Sequence, residues 1–177
     1  MVAKSILILL CCAACTVYAD FCSEEKGIEN FSRKKFGGVW YFAYTYGTRI
    51  SIAFGDGCMK SDHNVTEYGF DAVLDYYDQN KREKFVAAVP LKKEGGSYFQ
   101  VTPKGQNVQL YSVLLETDYK NYLTEYFCLY GEMAQGFIRT RSKSPSPEVI
   151  KKAQEVARQR VSQAEPFVDL DCPHSDI

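Results

Sequence analysis

Residues 112–128 read SVLLETDYKNYLTEYFC. Two runs suited to β-strands, SVLL and YLTEYFC, flank a polar hinge, ETDYKN, that contains neither Gly nor Pro. Tight strand connections usually take their special backbone angles from those two residues. Something else must hold this connection, and it carries charge and aromatic rings.

Working outward from the hinge, short strand-like segments recur in both directions. Upstream, the cleanest runs from Val65 to Tyr77, with Tyr68, Phe70, Ala72, Leu74 and Tyr76 on one face and Glu67, Asp71 and Asp75 on the other. That alternation predicts a strand with a dry side and a wet side, its carboxylates solvated. After the turn DQNK, Phe85, Ala87, Val89 and Leu91 repeat the pattern against Arg82 and Lys84. Further strands are expected over Gly38 to Tyr46, around Cys58 to Asp62, Ser97 to Thr102, Val108 to Leu115, Tyr122 to Tyr130 and Met133 to Arg141. Such regular spacing of short strands argues for an antiparallel barrel or sandwich. Between the first two strands, the loop GTRISIAFGDG carries Ile50, Ile52 and Phe54. Apolar residues on a loop either pack on their own barrel or cover what lies in it. Past Arg141 the pattern changes to a helix: Ser146 reads as its N-cap and Pro147 as its first residue. Val149, Ile150, Ala153, Val156, Ala157 and Val161 then follow at helical spacing. Residues 20–36 and the tail after the helix read as irregular.

The chain has 177 residues, is 46% hydrophobic and has a formal net charge of −1, which fits one soluble domain with a sizeable core. No basic face or tail points to nucleic acid. Lys4, an apolar run over Ser5 to Thr16 and the small residues Val17 and Ala19 predict a secretory signal over 1–19, followed by a single domain over 20–177. The apolar run is too short to span a bilayer. Cys15 could end a lipoprotein signal, but Cys12 stands where that motif prefers Leu. Removing the signal leaves Cys22, Cys58, Cys128 and Cys172, an even set that reads as two disulfides with three possible pairings. Their spacing does not suit zinc. Asn30-Phe31-Ser32 and Asn64-Val65-Thr66 are glycosylation acceptors, and Asn64, placed in a turn, is the better candidate.

Three separated elements carry a resemblance. Gly38-Val39-Trp40 opens the first strand, Thr117-Asp118-Tyr119 stands in the hinge, and Arg141 ends the last strand before the helix. In this order they resemble the signature of the lipocalin family, and the likeness spans about Cys22 to Cys172. It implies an eight-stranded antiparallel up-and-down barrel with one C-terminal helix packed outside. It further implies that Trp40 plugs the closed end with Arg141, in preference to Arg139, against its indole, and that Asp118 holds the closed-end loops by hydrogen bonds. The stretch LETDYKNYLTEYFCLY resembles the insecticyanin, bilin-binding protein and crustacyanin group and apolipoprotein D. That group implies the pairings Cys22–Cys128 and Cys58–Cys172.

A barrel of this kind encloses one small ligand, lipocalins being the usual example. Inward faces are expected to supply Phe42, Tyr44 and Tyr46, then Tyr68, Phe70, Leu74 and Tyr76, then Phe85, Val89 and Phe99, with Phe54 from the loop above. Such a lining suits a small hydrophobic molecule oriented by a few hydroxyls, though the same side chains could equally fill the barrel. The resemblance implies an extracellular carrier whose bound chromophore is biliverdin-like or a carotenoid, with no cofactor required; fatty acids, steroids and retinoids follow. Arg49 and the tyrosines could meet a tetrapyrrole's propionates. Haem ligation and a serine triad lack a suitable histidine, since His63 and His174 both read as surface residues. Two other classes stay open: a lipocalin isomerase with Cys58 as its free nucleophile, and an interaction protein that uses the barrel as a scaffold.

Overall fold

In the computed structural model, the described residues are 27–47, 58–90, 97–101, 109–129, 132–172 and 177. The signal, Cys22, the loop bearing Arg49 and Phe54, and His174 lie outside them.

A short helix, α1 (Arg33–Phe36), precedes β1 (Gly38–Tyr46), β2 (Met59–Val65), β3 (Gly69–Asp78), β4 (Lys81–Pro90), β5 (Ser97–Val101), β6 (Gln109–Thr117), β7 (Tyr122–Leu129) and β8 (Glu132–Thr140). Helix α2 (Pro147–Arg160) and a three-residue strand, β9 (Phe167–Asp169), follow. The strands pair in the order β4-β3-β2-β1-β8-β7-β6-β5, all antiparallel. The two ends of this path, β4 and β5, lie against each other, so the sheet wraps round an interior. Eight strands and one outer helix are the architecture expected from sequence.

Several details differ. The long strand read over Val65 to Tyr77 begins at Gly69, because a tight turn intervenes: the Gly69 N–H donates to Thr66 Oγ1 and the Thr66 N–H to the Gly69 carbonyl. Tyr68 therefore leaves the inner face; it is 53% exposed, and its hydroxyl binds Asp71. Asn64 is an exposed residue within β2, paired with Asp71, whereas Asn30 occupies the turn, at φ 54°. The expected irregular segments contain α1 and β9; Ser32 caps α1 through its hydroxyl, and β9 pairs with the upper half of β1.

Two apolar clusters divide the core. One fills the barrel, with Phe42, Met59, Leu74, Tyr76, Ala87, Val89, Leu114, Leu123, Phe127 and Phe137 among its members. The other lies outside, where Ala153, Val156 and Ala157 of α2 cover Val113, Leu115, Tyr122, Tyr126 and Ile138. Helix α2 starts as its sequence predicts, with Pro147 in its first turn and Ser146 Oγ accepting the Val149 N–H at 3.4 Å. Thr124 ties β7 to the helix by donating to the Ala153 carbonyl at 3.1 Å.

Candidate functional site

The closed end comes first, because it defines the interior above it. Trp40 is fully buried at the foot of β1, stacked on Phe36 with centroids 5.5 Å apart, and its Nε1–H donates to the Phe36 carbonyl at 2.9 Å. The Arg141 guanidinium lies 3.8 Å from the indole centre. A cation over Trp stabilises by roughly 0.5–2 kcal/mol. The same guanidinium donates to the carbonyls of Val39 (2.8 Å), Phe36 (2.9 Å), Gly37 (2.9 Å) and Lys35 (3.1 Å), and Nε–H to that of Tyr119 (3.3 Å). It thus satisfies the carbonyls at the end of α1, which the helix leaves without partners. Gly38 sits beside it at φ 90°, a conformation that a side chain would strain.

The hinge of residues 116–121 meets this assembly. Asp118 Oδ1 accepts the N–H groups of Asn121 (2.7 Å), Lys120 (2.9 Å) and Tyr122 (3.2 Å), and Oδ2 accepts from the Asn121 amide. Those donors outweigh the opposing effect of burial and hold its carboxyl below the ordinary range. Thr117 Oγ1 accepts from the Tyr119 N–H, and Tyr119 takes φ 64°, a value usually left to Gly or Asn. Side chains thus do what Gly or Pro does in a tighter turn. The Tyr119 hydroxyl in turn accepts the Ser32 N–H at 3.0 Å.

Phe31, Phe36 and Phe70 complete the floor, with His63 between them; ring centroids of Phe36–His63 and Phe36–Phe70 are 5.0 and 5.1 Å apart. His63 is therefore a buried residue, not the surface histidine its sequence context suggested. Burial, then Arg139 and Arg141, push its pKa well below the usual imidazole value, against a raising hydrogen bond with the Gly38 backbone. Phe70, expected to line the ligand cavity, packs in this floor instead.

Above the floor, Phe42, Leu74 and Tyr76 face inward and are buried, and Phe85 packs partly buried against them. Tyr44 and Tyr46 do not join them. The β1–β8 register slips between Phe42 and Tyr44, so one extra residue, Ala43, reverses the side-chain alternation. Thr45 turns inward; Tyr44 points outward to Asp169, and Tyr46 lies over Gly136 with its hydroxyl donating to the Glu125 carbonyl. The bulge is the reason both tyrosines drop out of the expected lining. Phe54 and the Phe99 side chain lie outside the described residues.

The interior also contains charge that the sequence reading missed. Glu125 and Arg139 face inward on β7 and β8, both buried, and form an ion pair. Arg139 Nη1–H donates to Ser61 Oγ at 3.0 Å, and Ser112 Oγ donates to Glu125 Oε2 at 3.3 Å. The Arg139 guanidinium lies 4.1 Å from the centre of the Phe42 ring. Gln135 donates to Thr45 Oγ1 one row nearer the mouth. The period-2 phase of YLTEYFC, with Leu123 and Phe127 two residues either side of Glu125, was the available signal. The expected solvation of Asp75 also fails: Arg82 holds it through two bonds of 2.7 and 2.6 Å, and Lys60 and Lys84 lie 3.8 and 3.9 Å away. Arg82 above all lowers its pKa.

Cys58 is bonded to Cys172, so the isomerase reading loses its free thiolate. Cys128 is also disulfide-bonded; Cys22, its expected partner, lies outside the described residues. A groove of about 730 Å³ runs outside the barrel between β1, the start of α2 and the tail, but Lys143, Lys151, Asp169 and Asp171 give it mixed charge and it is open to solvent. Among the described residues no cluster of His, Cys, Asp or Glu could hold a metal, and no helix is long and apolar enough to cross a membrane.

No family model matches the chain. It is 28% identical over 148 residues to the bilin-binding protein of Pieris brassicae, covering 78% of this chain and 77% of that protein. Insecticyanin of the tobacco hornworm Manduca sexta superposes with a TM-score of 0.70 at 18% identity, covering 85% of each chain. Lobster apocrustacyanin A1 gives 0.65 at 19% identity, covering 81% of each. The amine-binding protein of Rhodnius prolixus, solved with tryptamine, gives 0.70 at 17%, covering 88% of this chain and 91% of that one. At such identities the structural likenesses speak for the fold. With the strand order, the Trp40–Arg141 stack beneath the barrel and the likeness in sequence taken together, the chain has the lipocalin fold and is similar in sequence to a bilin-binding protein.

Proposed function

We propose that the protein is a secreted carrier that holds one small hydrophobic ligand, a linear tetrapyrrole of the biliverdin kind or a carotenoid, in its barrel. The observation that carries this reading is the inner wall of Phe42, Leu74, Tyr76, Phe85, Val89, Phe127 and Phe137 standing on a sealed floor. An interior lined largely by apolar and aromatic side chains, beside the buried Glu125–Arg139 pair, and closed at one end favours a flat or rod-like, mostly apolar ligand that enters from the other. The likeness in sequence to a bilin-binding protein supports the pigment class. Secretion rests on the expected signal over 1–19 and on disulfides, which persist in oxidising compartments. Asn30 and Asn64 are both exposed and open to an N-glycan. The buried residues of the lower barrel do not bear on the scaffold reading, which the same experiment addresses.

The test is an absorption spectrum of protein purified from its native source, with mass spectrometry of the extracted ligand. The expected result is a visible band and a co-purifying chromophore. A colourless protein with bound lipid or amine would keep the carrier and reject the pigment. A colourless, empty barrel would favour the scaffold reading.

A further inference from the structure

Among the described residues, Tyr68 is the one aromatic side chain that stands more than half in solvent, at 53%. Its place is fixed. Thr66 and Gly69 close the turn that carries it with two hydrogen bonds, and Arg33 of α1 donates to the Thr66 carbonyl at 3.1 Å and to that of Glu67. The Tyr68 hydroxyl donates to Asp71 Oδ1 at 3.0 Å, and Asp71 is the cross-strand partner of Asn64. Both partners belong to the outer face of the sheet, because His63, Phe70 and Ala72 take the inner one. The bond to Asp71 therefore brings the Tyr68 ring to the outer face beside the Asn64–Asp71 pair. Strand β1 begins at Gly38, opposite His63, so no β1 residue pairs with Asn64, and its side chain is exposed.

We propose that Asn64 carries an N-linked glycan whose first sugar packs on the Tyr68 ring. This rests on the secretion reading above and chooses between the two acceptors. Asn64-Val65-Thr66 supplies the acceptor amide and the Thr hydroxyl that the modification requires. The attaching enzyme reads a chain not yet folded; the fold decides where the glycan then stands. A pyranose presents a face of C–H groups, and the negative face of a phenol ring attracts them. A single exposed aromatic needs no partner by itself, but here an acceptor asparagine stands beside it on the same face. Asn30 has no such platform: its neighbours Ile28 and Phe31 pack on the barrel core, and Ser32 is engaged in capping α1. Asn64 follows His63 of the floor, so the glycan stands at the closed end and leaves the mouth free for a ligand.

The test is a peptide map by mass spectrometry of protein purified from its native source, before and after a peptide N-glycosidase in heavy-oxygen water. Hydroxyl-radical footprinting is run on the same two samples. The expected map shows a glycan on Asn64 and, after the enzyme, a heavy-oxygen label at that position. Oxidation of Tyr68 is expected to rise severalfold once the glycan is removed, while that of Val168, exposed on β9, stays the same. A bare Asn64, or a glycan on Asn30 alone, overturns the assignment. A glycosylated Asn64 with unchanged oxidation of Tyr68 overturns the packing of sugar on ring. The map also reads the N-terminus and so separates this proposal from the secretion reading. A chain that begins at Asp20 with a bare Asn64 rejects the glycan and keeps secretion; a bare chain that retains residues 1–19 rejects both.

Discussion

Trp40 and Arg141 concentrate several interactions in two side chains: the indole fills the floor, and the guanidinium both stacks on it and collects the carbonyls at the end of α1. Trp40→Ala removes a fully buried aromatic with little room to collapse around it. It is expected to lower stability by about 3–5 kcal/mol in chemical denaturation; a change near zero would take Trp40 out of the barrel base. His63 makes a pH prediction. Its folded pKa lies well below the unfolded value of about 6.5. Above that value the imidazole is neutral in both states and nothing is lost. Below it the unfolded chain binds a proton that the folded one refuses, so stability falls as pH falls, by up to about 1.4 kcal/mol per pH unit until the folded pKa is reached. Asp75 and Asp118, both with lowered pKa values, act only below the carboxylate range of about 3.9 and do not interfere. Urea midpoints at pH 7.5 and 5.5 should therefore drop further for the wild type than for His63→Phe. Equal drops would mean that the ring titrates as it does in water.

At the level of elements, the bulge at Ala43 decides what β1 contributes. Below it β1 feeds the barrel; above it Tyr44 and Tyr46 face α2 and β9. Tyr46 rests on Gly136, where an added Cβ would lie 2.0 Å from the ring. The ring cannot easily yield, being buried and bonded through its hydroxyl to the Glu125 carbonyl at 2.8 Å. Gly136→Ala is expected to cost roughly 1–3 kcal/mol, the usual range for overpacking. In a Tyr46→Leu background most of that penalty should vanish; an undiminished penalty would place its cause in the backbone. Strand β3 keeps its alternation from Phe70 to Tyr76, so Tyr76→Arg puts a cation in the ligand space and should abolish uptake. Unchanged affinity in a ligand titration would remove β3 from the binding wall.

For the molecule as a whole, the Cys58–Cys172 bond joins the start of β2 to the segment after β9, across 114 residues. It holds the tail strand in the place beside β1 that β2 vacates beyond Tyr41. Cys58→Ala/Cys172→Ala is expected to lower stability by about 2–4 kcal/mol in guanidinium unfolding, because a long loop is released in the unfolded chain. A loss confined to the exchange of β9 amides would instead mean that the tie acts only locally.

Which features the sequence could disclose follows from the range of the forces involved. Its alternation and the Ser146-Pro147 helix start by themselves determined the strands and the outer helix, since each rests on a local pattern; the up-and-down order and the closed end followed only from the resemblance carried by Gly38, Trp40, Asp118 and Arg141. The one-residue bulge at Ala43, the burial of His63 and Asp75, and the meeting of Glu125 with Arg139, Ser61 and Ser112 were decided only in the tertiary structure. A single inserted residue reverses every later side chain of its strand, and a polar residue is buried or solvated according to neighbours that strand register brings from distant parts of the chain.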